Sequence, residues 1–416
     1  MEKPQIKVLS RNPLNYMRAT KNDIHKISRN YSPSLHPYPA SREYTRALNA
    51  TKLDRVFAKP FMCSLDGHRD GFVRGICIGG SADKYITVGD DKVIKIWKDP
   101  SRINISRDCT DPVSTILTTQ VLMGCDHSYT DSTFATCGSS QVDLWDEERA
   151  EPVNTFRWDT PSNSFTDTVN SVKYNPVESY VLASTASDRS VMLYDIRQST
   201  LLKKLTLKSR SNQVCWNPME AYHFTVACED SNLYTFDMRN LDIAANVHQD
   251  HLGAVMDVDY SPTGREFVAA SYDKTIRIFP SKGSGHSREI YHTKRMQRVF
   301  GVKWSLDAHY IISCSDETNI RLWKANASEK LLVTNYREKK SLEYKAKLCE
   351  KYKHHPQIKR IAKHRHIPRQ LYHAREEKRG MTEKEQRKQQ NRIIHSKPAS
   401  IDIVPERKKT VLKIED

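Results

Sequence analysis

The sequence predicts an all-β propeller of six recognisable blades, flanked by basic extensions. The first observation behind this is a repeat. Six segments share one pattern: VIKIWK (Val93 to Lys98), VDLWDE (Val142 to Glu147), VMLYDI (Val191 to Ile196), LYTFDM (Leu233 to Met238), IRIFPS (Ile276 to Ser281) and IRLWKA (Ile320 to Ala325). Each is an apolar or β-branched run ending in Trp, Tyr or Phe, and Asp often follows. The second observation is the period. The aromatics stand at 97, 145, 194, 236, 279 and 323, with spacings of 48, 49, 42, 43 and 44. A period in the forties is the length of one four-stranded blade. The third is an orphan strand, FMCSL (Phe61 to Leu65), ahead of the first repeat. It is placed to add to the blade that ends at Trp323 and so to remove the open sheet edge at the seam.

Taken in order, residues 1–59 form a basic arm. Met1 to Ala40 carries five prolines and little periodicity. Ser41 to Ala58 reads as a helix, with Ser41 as its cap, Tyr44, Leu48 and Phe57 on one apolar face and Pro60 beyond its end. Residues 60–325 form the propeller. In a complete WD repeat a loop His, a strand Ser or Thr, a turn Asp and the Trp indole N–H satisfy one another's buried hydrogen bonds. The first blade offers His68, Thr87, Asp91 and Trp97. The third has Ser184, Asp188 and Tyr194, with Phe165 near the His position. The fifth has His251 and Asp273, with Ala269 and Phe279 in place of the hydroxyl and the Trp. The second lacks the turn Asp (CGSSQVDLWD). These His, Ser and Asp residues read as structural. They superficially resemble a hydrolase triad, but a triad is defined by geometry and no G-x-S-x-G turn is present.

Residues 326–416 read as a basic helical region. Arg337 to Lys353 is one helix, with Leu348 and Tyr352 at i, i+4. Pro356 interrupts, and Lys359 to His366 (KRIAKHRH) is a short basic segment. Gln370 to His395 is a charged helix loosened by Gly380. With so few apolar residues, extended helices lying on a partner, or disorder when alone, are expected.

Charge follows the same divisions. Met1 to Lys59 has 12 basic and 4 acidic residues, and Ala325 to Asp416 has 25 and 12. Pro60 to Lys324 has 29 and 34. Two basic arms around a mildly acidic centre suit a polyanion, most simply RNA or DNA; the alternative is a solubilising tail. Lys359, Arg360, Lys363, His364, Arg365, His366 and Arg369 are the candidate RNA or ribonucleoprotein contacts. Arg and Lys meet phosphates, and His can stack on unpaired bases.

No apolar run approaches the roughly 18 to 20 residues of a membrane span. The start, MEKPQIKVLSRNP, has no signal-peptide core, so no membrane partner is expected. Nine cysteines form no C-x-x-C pair, which favours reduced thiols in cytosol or nucleus. There is no Walker A loop, no H-E-x-x-H and no dinucleotide fingerprint. His364 and His366 are flanked by Lys363 and Arg365, which repel a cation. No metal, cofactor or catalytic residue is expected, and the enzyme class finds no support.

Two blades end in YDIR (Tyr194 to Arg197) and FDMR (Phe236 to Arg239). Aromatic-Asp-x-Arg at a blade end resembles the motif by which WD-repeat substrate receptors dock on the damage-binding adaptor of cullin–RING ubiquitin ligases. That resemblance implies Asp195, Arg197, Asp237 and Arg239 as adaptor contacts. Alternatively, each Arg stays in its own blade-edge network.

Longer strings carry a wider resemblance: SREYTRALNATKLDRVFAKPF before the first blade, CWNPMEA and NLYTFDMRN in the middle, SDETNIRLWKANASEKL at the last blade, and YKHHPQIKRIAKHRHIP and NRIIHSKP in the tail. With them the chain resembles the Sof-type WD-repeat proteins of the small-subunit processome, also described as a ubiquitin-ligase-associated factor in animals. The resemblance implies a non-catalytic scaffold in the nucleus and nucleolus. Its expected partners are pre-rRNA, the snoRNP particle that matures pre-18S rRNA, processome proteins and a cullin–RING ligase adaptor. One departure stands out. The family, normally seven-bladed, has another repeat between the first GH loop and the FVRGIC-type strand, whereas here GHRDG (Gly67 to Gly71) runs straight into FVRGIC (Phe72 to Cys77). Loss of about one whole repeat keeps the strand order, so a six-bladed ring can close; otherwise the ring is strained or open.

Overall fold

The structure is a computed structural model. It describes residues 38–66, 73–78, 84–89, 94–98, 123–129, 133–138, 141–146, 149, 151–157, 168–198, 201–283, 285–317, 319–331, 334–397 and 404–415. The chain divides into two compact units, residues 1–57 with 332–364 and residues 58–331 with 365–416. The tail contributes to both units.

The first unit is a small helical cluster of α1 (Pro39–Arg55), α2 (Tyr336–Lys351) and α3 (Pro356–Ala362). Pro39 opens α1 at a position where its missing N–H costs nothing. The expected Ser41 cap is thus not used. Phe57, expected on the apolar face, lies beyond the helix end and is exposed. Tyr44 and Leu48 do face inward. With Tyr352 they pack around Ala47, Leu348 and Ile358, a core that the low apolar content of the tail had not suggested. Small residues on α1 (Ala47, Ala50 and Thr51 are buried) let the helices approach. Lys351 donates to Glu43 at 2.7 Å, and the Tyr44 hydroxyl donates to Gln357 at 2.5 Å. Pro356 starts α3 rather than merely interrupting.

The second unit is the propeller. The first blade shows β2 (Val73–Ile78), β3 (Lys84–Gly89) and β4 (Ile94–Lys98). The second is β5 (Gly124–His127), β6 (Thr133–Cys137), β7 (Gln141–Asp146) and β8 (Asn154–Arg157). The third contains β9 (Val169–Tyr174), β10 (Val181–Ala186), β11 (Ser190–Asp195) and β12 (Leu201–Leu207). The fourth is β13 (Ser211–Trp216), β14 (His223–Cys228), β15 (Leu233–Asp237) and β16 (Asn246–His248). The fifth is β17 (Val255–Tyr260), β18 (Glu266–Ser271), β19 (Ile276–Pro280) and β20 (Glu289–Tyr291). The sixth is β21 (Val299–Trp304), β22 (Tyr310–Ser315) and β23 (Asn319–Lys324), completed by β1 (Phe61–Asp66). A fourth strand for the first blade would fall between β4 and β5, outside the described residues.

The seam pairs as expected. β1 runs antiparallel to β23 with Phe61 opposite Trp323 and Leu65 opposite Ile320, and the two rings meet edge-on at 5.5 Å. The innermost strands neighbour one another in the order β2, β21, β17, β13, β9, β5. Among the described residues, β2 and β5 share no comparable packing.

Neighbouring inner strands are joined by side chains rather than by a hydrogen-bond ladder. Asp126 accepts from the Tyr174 N–H at 2.8 Å and the Lys173 ammonium at 2.6 Å. Asp259 takes the Trp304 N–H at 2.8 Å and Lys303 at 2.7 Å in the same way. Asn212 and Asn217 reach the Val255 and Gly264 carbonyls of the next blade. Buried backbone groups that would otherwise lack partners are thereby satisfied.

Within blades, the aromatic at the strand end follows the hydrogen-bond logic of the repeat. The Trp323 indole donates to Ser313 and that of Trp145 to Thr136, both at 2.8 Å, and Ser184 donates to the Tyr194 hydroxyl at 3.2 Å. Phe279 has no polar atom to satisfy, and Ala269 accordingly carries no hydroxyl. His251 Nδ1 lies 3.0 Å from the Asp273 carboxylate, both buried. Asp188, Asp230 and Asp273 each accept the N–H two residues on. These bonds hold the hairpins in which Arg189, Ser231 and Lys274 take positive φ. His68, Asp91 and Phe165, and the side chains of Thr87 and Trp97, lie outside the described residues.

Two features of the tail differ from expectation. α4 (Arg369–His395) runs unbroken through Gly380. After α5 (Glu406–Lys409), the chain forms a strand, β24 (Val411–Glu415), that pairs antiparallel with β12 and makes the third blade five-stranded. Val411 and Ile414 pack on the core of blades three and four, so this part of the tail is sheet, not helix.

Candidate functional site

The third and fourth blades build one structure twice. At the end of β11, the Asp195 carboxylate accepts the backbone N–H of Arg197 at 3.0 Å. It also holds the Arg197 fork, through Nε at 3.1 Å and a terminal nitrogen at 3.0 Å. The guanidinium lies over the Tyr180 ring at 4.6 Å. At the end of β15, Asp237 holds Arg239 by the same three bonds, at 3.0, 3.1 and 2.8 Å, and Arg239 lies over Tyr222 at 4.4 Å. The hydrogen bonds from the arginines keep both carboxyl groups below the ordinary Asp range. Both guanidinium side chains remain open to solvent, 64% for Arg197 and 61% for Arg239.

This geometry shows the local blade-edge network, one of the two alternatives the sequence left open. Each Arg braces its own blade, yet of its five N–H donors only two face the local Asp. The outer edge of each fork is oriented and stacked but available to another carboxylate. The tyrosines beneath were missed by sequence reading, although a signal existed. NPVESY (Asn175 to Tyr180) and NPMEAY (Asn217 to Tyr222) repeat, and each Tyr precedes its Arg by the same interval. Asn175 and Asn217 fix these turns by accepting the amides of Val177 and Met219 at 3.0 Å.

The basic candidates in the tail divide between the units. Lys359, Arg360, Lys363 and His364 belong to the helical cluster and are exposed, on or just after α3. Arg365, His366 and Arg369 belong to the propeller unit, the last two exposed. Arg365 does not stand out as a solvated phosphate contact. Its guanidinium turns to the buried carboxylate of Asp250 at 3.5 Å. Arg375 of α4 approaches the same carboxylate at 3.8 Å, and Lys378 donates to the Ser231 hydroxyl at 2.5 Å and the His251 carbonyl at 3.1 Å. Sequence reading missed Arg375 and Lys378 as docking residues, because a charged helix gives no sign of which face meets protein.

Connections between antiparallel strands alternate between the two faces of the ring. The β14–β15 turn with Ser231 and the β16–β17 loop with His251 share one face, and α4 lies there. Arg197 and Arg239 follow β11 and β15 and therefore sit on the opposite face. No group of three or more metal-ligating side chains occurs among the described residues, and no described helix is long and apolar enough to cross a membrane.

Comparison with known proteins agrees with this architecture. A family profile described as a Sof1-like domain matches residues 325–411, and WD domain, G-beta repeat profiles match 59–98, 152–195, 245–279 and 285–324. The chain is 52% identical to DDB1- and CUL4-associated factor 13 of Danio rerio and 51% identical to that of Homo sapiens, each over 99% of both chains. The protein of that name from Dictyostelium discoideum is 41% identical over 93% of this chain and 94% of its own. The zebrafish alignment runs over 452 positions against the 416 residues here, so at least three dozen positions of that relative have no counterpart, a number close to the length of one repeat. Among solved structures, the WD40 propeller domain of Doa1 superposes with a TM-score of 0.53 at 16% identity, covering 64% of this chain and 96% of that one, a likeness of fold.

Proposed function

The chain belongs to the DDB1- and CUL4-associated factor 13 family of WD-repeat proteins with a Sof1-like domain, and we propose that it is a non-catalytic scaffold that docks a cullin–RING ligase adaptor through its blade-end arginines. The observation that carries this reading is the duplicated Tyr–Arg–Asp arrangement at Arg197 and Arg239, exposed on the face opposite α4. Each guanidinium is held in one orientation before a partner arrives, which lowers the entropy lost on binding. The name of the relatives, association with DDB1 and CUL4, supports it. In this role the chain presents substrates to the ligase.

The test is co-purification of the adaptor with the full chain and with the Arg197→Ala, Arg239→Ala double variant. Loss of adaptor from a variant that melts like the parent supports the reading. Unchanged adaptor binding sinks it.

A second role is favoured by a separate feature, the Sof1-like region with Lys359, Arg360 and Lys363 exposed on one short helix and its end. Under this reading the basic arms lie on pre-rRNA in a nucleolar small-subunit processome, beside the snoRNP and other processome proteins, and support pre-18S rRNA maturation. RNA crosslinks to residues 359–364 in nuclear particles would support it. Particles that assemble and process pre-rRNA normally with all three side chains removed would exclude it.

A further inference from the structure

A basic patch lies on the α4 face of the ring, between blades five and six. Lys274 is at the tip of the β18–β19 turn. Lys294, Arg295 and Arg298 lie in the loop from β20 to β21, and all four side chains are exposed. Between them, Met296 is 2% exposed and packs into the core of these two blades. Its N–H also closes a turn on the Thr293 carbonyl at 3.3 Å. Met296 therefore pins the loop and leaves the flanking basic side chains outside. None of the four cations forms an ion pair among the described residues.

The acids of the adjoining turns are engaged elsewhere. Asp273 is buried against His251, and Glu317 pairs with Arg321. Asp316 is exposed and joins the loop through its backbone, its N–H donating to the Arg298 carbonyl at 3.0 Å. An aromatic ring stands among the cations. Tyr272 is 37% exposed, and Lys274 donates to Gln297 at 2.6 Å, which ties the turn to the loop. Arg298 lies over the Tyr272 ring at 5.5 Å, near the outer limit of about 6 Å for a cation–π contact. Phe300 meets the same ring edge-on at 5.6 Å and fixes its tilt. The tail borders the patch, since the His292 ring hydrogen-bonds the His366 backbone and the exposed Arg369 follows.

We propose that Tyr272, Lys274, Lys294, Arg295 and Arg298 form a binding surface for single-stranded RNA, with phosphates on the cations and one base stacked on Tyr272. Lys and Arg hold phosphates without reading sequence, and an unpaired base adds its flat face to an exposed ring. A duplex keeps its base faces inside the stack. An acidic protein uses the charge but has no need of the ring set among the cations. The Arg298 guanidinium rests loosely enough on Tyr272 to yield that face to a base. This surface goes beyond the processome reading, because it shares no residue with Lys359, Arg360 and Lys363 and stands whether or not those three meet RNA.

The test uses the full chain and a labelled twelve-nucleotide single-stranded RNA, read by fluorescence anisotropy across a salt series, with melting temperatures as the control for folding. The Lys294→Gln, Arg295→Gln, Arg298→Gln variant should reduce the salt slope by roughly two to three units. Tyr272→Leu should weaken binding at least about fivefold, the least that one lost base stack costs, while Tyr272→Phe should bind like the parent. Lys282→Gln, on the opposite face and paired with Glu220, should change nothing. With 4-thiouridine in the RNA, crosslinks are expected within residues 272–298 of the unaltered chain. Binding that survives in the loop variant but is lost when Lys359, Arg360 and Lys363 become Ala overturns this proposal and spares the processome reading; the reverse supports it. No RNA binding by the full chain, no crosslink in this segment, full affinity in Tyr272→Leu, or equal competition by polyglutamate also overturns it.

Discussion

Lys303 of β21 places its ammonium 2.7 Å from the carboxylate of Asp259 on β17, across the junction of the fifth and sixth blades. The same carboxylate accepts the Trp304 N–H at 2.8 Å. The attraction of Asp259 and Asp257 outweighs burial and holds the Lys303 ammonium well above the ordinary Lys range. Lys173 and Asp126 repeat this link between the second and third blades. Because one carboxylate serves a charge and a backbone amide, removing it orphans the Trp304 amide and leaves the Lys303 ammonium with Asp257 alone. Asp259→Ala is expected to destabilise the propeller by about 3 to 5 kcal/mol, read by chemical denaturation. A loss under ~1 kcal/mol would show that water replaces the link.

The seam offers a second prediction. Trp323 is fully buried, donates to Ser313 and meets Phe61. Trp323→Phe keeps most of the apolar contact but leaves the Ser313 hydroxyl without its donor, and should cost about 1 to 3 kcal/mol. Changing Ser313 to Ala in addition should recover part of that loss. Denaturation midpoints of the single and double variants decide it.

For the adaptor-facing arginines, the fork rather than the charge should matter. Arg197→Lys with Arg239→Lys retains two cations but cannot make the paired N–H contacts. This double variant should lose adaptor binding nearly as fully as the alanine pair, with little change in melting, because exposed ion pairs contribute about 0 to 1 kcal/mol. Retention of binding by the lysine pair would point to simple charge attraction.

A fourth prediction concerns pH. His248 is wholly inside the fourth blade, and burial lowers its pKa from 6.5 to about 4. The unfolded chain takes up this proton first as the pH falls. The stabilisation is therefore complete above pH 6.5 and is lost progressively down to about pH 4, on the order of 3 kcal/mol at most. His248→Gln should flatten that part of the melting-temperature profile.

The tail gives a fifth prediction, which separates two kinds of basic residue. Replacing Lys359, Arg360 and Lys363 with Ala should weaken RNA binding and reduce the salt slope by up to roughly three units, one for each phosphate that is no longer neutralised. Arg365→Ala should instead speed exchange in α4, since its guanidinium faces Asp250. Fluorescence anisotropy across a salt series and hydrogen exchange together read both outcomes.

The propeller was legible because its signals are local. Each aromatic-ended strand, each turn Asp and the FMCSL strand carries its own pattern, and the pairing of Phe61 with Trp323 follows from needing to close an edge. The tail was less legible for a physical reason. Val411 to Glu415 is too short and too charged to look like a strand until β12 offers it an edge. Leu348 and Ile358 reveal a core only when α1 supplies Ala47. The arginine motif could be read, but not the tyrosines that orient it, because cation–π stacking across 17 residues depends on the hairpin that returns the chain. Composition shows the charge of Arg365, but only the structure shows its guanidinium turned toward Asp250.

The pairing of β24 with β12 also sets an order in time. Leu207, at the end of β12, leaves the ribosome roughly 200 residues before Val411, its partner. At about 5 to 20 residues per second, the outer edge of the third blade waits on the order of 10 to 40 s for its covering strand. Every nascent chain passes through a stage in which five blades and the seam can already be assembled while this edge can still recruit a neighbouring chain on the same messenger. Until Val411 to Glu415 emerge, β12 is an open edge, and its pairing with β24 closes that edge.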